Sequence, residues 1–141
     1  MKIRVINGPN LNMLGIREPE IYGHQTYADL EAYIRQSATE LGVEAEIFQS
    51  NHEGALVDCI QQALSAADAI VINPAAYTHT SVAILDALKA VGLPAVEVHL
   101  SDVQSREEFR RVSYSSQACV AVIAGMGFAG YRRAMELLLE F

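Results

Sequence analysis

Ala69-Ile70-Val71-Ile72-Asn73 leads directly into Pro74-Ala75-Ala76-Tyr77-Thr78-His79-Thr80-Ser81. A strand with one face in water alternates apolar and polar residues. A run that is apolar at every position before its last marks a strand covered on both faces, the usual situation in parallel sheets. Asn73 at the exit of such a strand has no packing reason to be there. One of Thr78, Thr80 or Ser81 is expected to cap the following helix, but capping explains neither Asn73 nor His79. A helix N-terminus disfavours imidazolium, so His79 is expected to be neutral.

The same βα pattern extends in both directions. Lys2–Asn7 is a β-branched, apolar strand, followed by a long loop to Gln25. Thr26-Tyr27-Ala28-Asp29 opens a helix with a capping-box pattern in which Asp replaces the usual Glu or Gln. Tyr27, Leu30, Ile34, Ala38 and Leu41 recur at helical spacing, and Gly42 is the expected stop. Val43–Gln49 reads as the second strand and Gly54–Ala66 as the second helix. Thr80–Val91 is the third helix, ended by Gly92, and Ala95–Leu100 the fourth strand. A short helix is expected around Arg106–Arg110. The fifth strand is expected at Ala118–Ala124, and a last helix from Gly127 or Phe128 to Leu139. Five strands alternating with helices imply parallel pairing through right-handed crossovers. The expected fold is α/β, a flavodoxin-like, doubly wound, five-stranded parallel sheet forming one domain over residues 1–141.

Hydrophobic residues make up 51% of the chain, enough for a substantial core, and the net charge is −7 with only ten basic residues. That balance argues against nucleic acid or an anionic membrane surface as partner. Cys59 and Cys119 fall in expected helix and strand interiors and read as small buried hydrophobes. Met1–Ile6 reads as a strand and not as a signal peptide. No run approaches the roughly 18 apolar residues of a membrane span. A cytoplasmic location is the expectation.

Polar clusters sit at the expected carboxyl ends of the strands, where open parallel sheets bind ligands. Asn7-Gly8-Pro9-Asn10-Leu11-Asn12 leaves the first strand and continues to Arg17-Glu18-Pro19 and Tyr22-Gly23. An ordinary phenol has a pKa near 10, and bringing it to neutrality costs about 4 kcal/mol. One guanidinium about 4 Å away supplies roughly that at an effective dielectric near 20. Arg17 and Tyr22, five positions apart, can meet that geometry; they can equally be a surface arginine and a tyrosine that packs the loop down. Gly8, Gly15 and Gly23 would leave the loop free to act as a lid.

Glu97 and His99 are two apart on a strand and share a face. A carboxylate beside an imidazole orients it and favours its charged form, which suits a proton donor near neutral pH. The alternative is a buried ion pair with a purely structural role. Ser101 and nearby amides offer an anion pocket. Arg106–Arg111 reads as a solvated mixed-charge face from which one arginine can reach the site. Gly125, Gly127 and Gly130 match the dinucleotide fingerprint in letters but lack the βαβ context after them, and read as turn and close-packing positions. No histidine pair has metal-ligand spacing.

Together, Ile6–Asn12, Arg17-Glu18-Pro19, Tyr22-Gly23, Gln49-Ser50-Asn51-His52-Glu53-Gly54, Asn73-Pro74 with Thr78–Ser81, and Glu97-Val98-His99 resemble the type II 3-dehydroquinate dehydratases, in order and over nearly the whole chain. The resemblance implies anti elimination of water from 3-dehydroquinate to 3-dehydroshikimate through an enol or enolate. It also implies a place in the shikimate pathway, no cofactor or metal, and trimers assembled into a homo-dodecamer. It makes Tyr22 the base at C2, with Arg17 lowering its pKa. Asn10 lies beside the reacting centre, and His99, held by Glu97, is the acid. Asn73, His79 and Arg110 bind substrate hydroxyls, Leu100 and Ser101 bind its carboxylate, and Asp86 reaches a neighbouring subunit's site. Asp102 stands where the family usually has Asn, Gln104 where His is frequent, and Ala75 where Gly is frequent; Asp102 is expected to point outward. A non-catalytic or nucleotide-binding flavodoxin-like module, and another enolising lyase, are the rival readings.

Overall fold

The computed structural model describes residues 1–16, 19–22 and 24–141, with the backbone alone at 21 and 22. Its strands are β1 (Lys2–Asn7), β2 (Glu44–Gln49), β3 (Ala69–Asn73), β4 (Ala95–His99) and β5 (Ala121–Ala124). Its helices are α1 (Pro19–Tyr22), α2 (Tyr27–Leu41), α3 (Glu53–Ala66), α4 (Val82–Val91) and α5 (Ala129–Leu138). The five strands are parallel and ordered β2-β1-β3-β4-β5. This is the flavodoxin-like arrangement, whose strand order reverses between β1 and β3.

The two-residue period of the strands sorts the core into two layers. Ala69 and Val71 of β3 pack with Leu30 and Ile34 of α2 and with Tyr131, Met135 and Leu138 of α5. Ile70 and Ile72 point the other way, against Leu56 and Ile60 of α3 and Ile84 and Leu88 of α4. Every residue of β3 and β4 is buried. Each such aliphatic side chain contributes about 1.5–3 kcal/mol relative to an exposed one.

Local chemistry explains the helix ends. Thr26 Oγ1 accepts from Asp29 N at 3.2 Å, and Asp29 Oδ2 accepts from Thr26 N at 2.9 Å, so the Asp variant of the capping box forms in full. Gly42 stops α2 in the left-handed region at φ 73°. The third predicted helix starts later than expected. Ser81 is its cap, accepting from Ile84 N at 3.0 Å, and residues 75–79 form a separate 3-10 turn.

The fifth strand is shorter than predicted because Ser115–Ala118 closes a 3-10 turn before it. Cys119 therefore ends that turn, half-buried, and does not lie in a strand interior. Residues 103–105 and 108–111 form two 3-10 turns in place of one short helix. The long loop after β1 contains a 3-10 turn at Leu11–Met13 as well as α1. No helix among the described residues is long and apolar enough to cross a membrane.

Candidate active site

In the sheet register Asn7 lies opposite Gln49 on one side and Asn73 on the other, so three amide side chains meet at the carboxyl edge of β2, β1 and β3. Beyond that edge a cavity opens, lined by Asn10 and Leu14 after β1, Asn73 and His79 around the end of β3, and His99 and Ser101 around the end of β4. Leu100, Arg106 and Arg110 complete its far wall. The cavity occupies the switch point of the sheet, where this topology binds small molecules.

Glu97 and His99 do share a face of β4. His99 Nε2 lies 2.6 Å from Glu97 Oε2, with Glu97 fully buried and His99 6% exposed. His99 faces the cavity, and with Nε2 committed to Glu97 its Nδ1 is the nitrogen left for a ligand. A carboxylate this deep needs donors. Thr78 Oγ1 donates to Oε2 at 2.8 Å, Ser113 Oγ to Oε2 at 3.0 Å, and Ser115 Oγ to Oε1 at 2.5 Å. Burial by itself would push the Glu97 carboxyl up. The bond and charge of His99, with the bonds from Ser115 and Thr78, outweigh burial and hold it below the ordinary glutamate value. Burial, together with the nearby Glu97 charge, pushes the Cys119 thiol up to about 12, so Cys119 is inert as a nucleophile.

A second buried network fixes the amides. Tyr131 Oη donates to Asn7 Oδ1 at 2.7 Å and accepts from Asn73 Nδ2 at 2.9 Å. Asn73 Oδ1 accepts from Ala75 N at 3.1 Å, which holds Ala75 at φ 52°, a conformation better suited to the glycine frequent in the resembled family. Asn10 also sits in the left-handed region, at φ 70°, which asparagine tolerates, and its N–H donates to Asn51 Oδ1 at 3.0 Å. Gln49 Nε2 donates to Gly8 O at 3.1 Å, so the segment after β2 braces the loop after β1.

His79 lies in the 3-10 turn before α4, not at the helix start, so the dipole argument for its neutrality does not apply. Its Nδ1 donates to Val112 O at 2.6 Å and its ring lines the cavity. Arg110 Nε is 2.6 Å from Glu107 Oε2 but off the bonding direction, so this buried nitrogen makes no hydrogen bond. The carbonyls of Leu100 and Ser101 accept from Gly127 N at 3.0 Å and Gly125 N at 3.1 Å. The terminal glycines thus serve turns, at φ 80° and 57° for Gly125 and Gly127. Asp102 is exposed, and its Oδ1 caps Gln104 N at 3.0 Å, which keeps its charge out of the cavity. Asp86 is exposed on α4 and does not line the cavity. Arg17, Gly23 and the side chain of Tyr22 lie outside the described residues. Gly8 is no free hinge, because its N–H donates to Asn73 O at 2.8 Å. No group of three His, Cys, Asp or Glu among the described residues could hold a metal.

The sequence pattern did not single out Tyr131, Ser113 or Ser115. Tyr131 resembles any other core position of α5, and the serines sit in an irregular stretch with no periodicity.

An α/β enzyme with a buried Glu–His pair facing a cavity at its sheet switch point is the class that fold and site define. The Dehydroquinase class II family model matches residues 1–139. The catabolic 3-dehydroquinase of Verticillium alfalfae is 59% identical over 135 residues, covering 96% of this chain and 90% of that one. The 3-dehydroquinate dehydratase of Clostridium acetobutylicum is 53% identical over 131 residues, covering 93% and 91%. The crystal structure of the type II dehydroquinase from Butyrivibrio crossotus superimposes with a TM-score of 0.97 at 50% identity, covering 99% and 97% of the two chains. The chain belongs to the class II dehydroquinase family.

Proposed function

We propose that this protein removes water from 3-dehydroquinate to give 3-dehydroshikimate, by anti elimination through an enol or enolate. The observation that carries the reading is the Glu97–His99 pair, which leaves Nδ1 of a buried, oriented imidazole toward a cavity at the switch point. Family membership supports the same chemistry.

In this reading Tyr22, as phenolate favoured by the Arg17 charge, takes the proton from C2. The electron pair moves onto the neighbouring carbonyl, and Asn10 lies beside the enolate that results. The enolate then collapses, the C1–O bond breaks, and the hydroxyl leaves as water with the proton from His99 Nδ1. Asn73, His79 and Arg110 hold the ring hydroxyls. Leu100 and Ser101 hold the carboxylate, with Arg106 and Arg110 in the same wall supplying the local positive charge that the acidic chain otherwise lacks. Only protons move and one C–O bond breaks, so side chains suffice and no cofactor is needed. Residues 1–141 act as one catalytic domain, assembled as trimers into a homo-dodecamer in which the exposed Asp86 completes a neighbour's site.

Mixing purified protein with 3-dehydroquinate and following the conjugated enone by ultraviolet absorbance tests the reaction. Growth of the enone supports it, and no turnover at micromolar enzyme contradicts it. Sedimentation tests the assembly: a mass well above that of the monomer is expected, and a monomeric, fully active protein would remove the role of Asp86.

A further inference from the structure

Glu97 is fully buried, and four donors converge on it: His99 Nε2 and three hydroxyls from two other segments. Thr78 comes from the turn after β3. Ser113 and Ser115 come from a strap that crosses from the 108–111 turn to β5. The strap is fastened to the turn by Tyr114 N donating to Thr78 O at 2.8 Å and by His79 Nδ1 donating to Val112 O at 2.6 Å. Ser113 Oγ accepts from Ser116 N at 3.1 Å, and it also lies 2.5 Å from Thr78 Oγ1, which in turn lies 3.0 Å from Ser115 Oγ, so the three hydroxyls form one cluster around the carboxylate. An ionised carboxylate only accepts, and three of the four groups lie on Oε2 and one, Ser115, on Oε1. Protonating the carboxyl would require one of these bonds to reverse.

We propose that Thr78, Ser113 and Ser115 are positioning residues for the acid step: they hold Glu97 as a carboxylate, and through it hold His99 with Nε2 on Glu97 and Nδ1 toward the substrate. This rests on the dehydration reading above and deepens it, because it makes the strap part of the machinery without touching the substrate. Without the hydroxyls the proton between Glu97 and His99 is drawn toward the carboxylate. The ring then faces the leaving hydroxyl as neutral imidazole, a poor acid.

The test compares Thr78→Val and Ser115→Ala with Thr78→Ser, which keeps the hydroxyl, each made in the wild type and in a Glu97→Gln background. In the wild-type background kcat should fall about ten- to a hundredfold, part of what a general acid supplies, with KM held within about twofold. Thr78→Ser should restore most of the loss. In the Glu97→Gln background the same substitutions should change kcat less than about twofold, since there is no carboxylate left to hold. Losses that multiply fully in that background, or an unchanged kcat beside a lowered melting temperature, would overturn the proposal and leave the hydroxyls as packing. If Ser115→Ala does not fold, Ser113→Ala on the half-buried part of the strap takes its place in the same cycle. Wild type is the control. Wild type inactive on 3-dehydroquinate overturns the dehydration reading and this inference with it, whereas active wild type with unaffected variants overturns this inference alone.

Discussion

Tyr131 and Asn73, 58 residues apart, meet through a 2.9 Å hydrogen bond from Asn73 Nδ2 to the buried Tyr131 oxygen. The bond ties α5 to the end of β3, and the same oxygen donates to Asn7 on β1. Burial pushes this phenol far above its usual value, so it stays a donor throughout the working pH range. Tyr131→Phe leaves two buried amides each short of a partner, which should cost about 1–3 kcal/mol. A melting temperature several degrees lower, with KM for 3-dehydroquinate raised because Asn73 loses its anchor, is the expected outcome. Unchanged melting would mean the amides find other partners.

Gly8 tests the close approach of β1 and β3. A Cβ there would lie 2.5 Å from Pro74 O and 2.7 Å from Pro74 C, both backbone atoms. Gly8→Ala must therefore push the 73–75 turn away, at a cost of about 1–3 kcal/mol, with activity falling as Asn73 moves. Gly54 is the control. It is exposed in the first turn of α3, nothing lies within 4 Å of its added Cβ, and Gly54→Ala should be neutral or stabilise by up to about 1 kcal/mol. Chemical denaturation of the two variants side by side checks both.

Glu97 gives the fold a pH dependence of defined sign. Its carboxyl is held below the ordinary value of 4.5, so its contribution to stability is fully present above that value. The contribution is lost as the pH falls through the folded-state value. Glu97→Gln breaks the buried pair and should cost about 3 kcal/mol at neutral pH. The gap to wild type should stay constant from neutrality down to about pH 5 and narrow below it. Unfolding curves at stepped pH measure this; a gap that widens toward acid would reverse the assignment.

Tyr22→Phe removes one hydroxyl and should fold normally, bind substrate and lose nearly all turnover. More than about a tenth of wild-type kcat remaining would release Tyr22 from the role of base. Arg17→Lys keeps the charge but loses the planar fork, and its residual activity should rise toward alkaline pH.

Much of this geometry is legible in the chain itself. The apolar run at Ala69–Asn73 does become the central, doubly covered strand, and the Thr26–Asp29 box and Gly42 do bound their helix. Glu97 and His99 are legible because strand periodicity is local: two residues apart is enough to place them together. The strap is not legible. Its serines reach Glu97 from 16 and 18 positions away, through a segment with no period, so only the folded backbone brings them there. The late start of α4 has a similar cause. Thr78, Thr80 and Ser81 all carry cap-competent hydroxyls, and tertiary contact decides among them by sending Thr78 to Glu97 and leaving Ser81 to cap.

The most direct measurement of the acid assignment uses His99→Ala in deuterated solvent with 3-dehydroquinate. If His99 protonates the departing hydroxyl, the variant should still open the C2–H bond. Unreacted substrate should then gain deuterium at C2 while enone formation falls by about a hundredfold or more. A folded His99→Ala protein that forms enone at the wild-type rate would contradict the account.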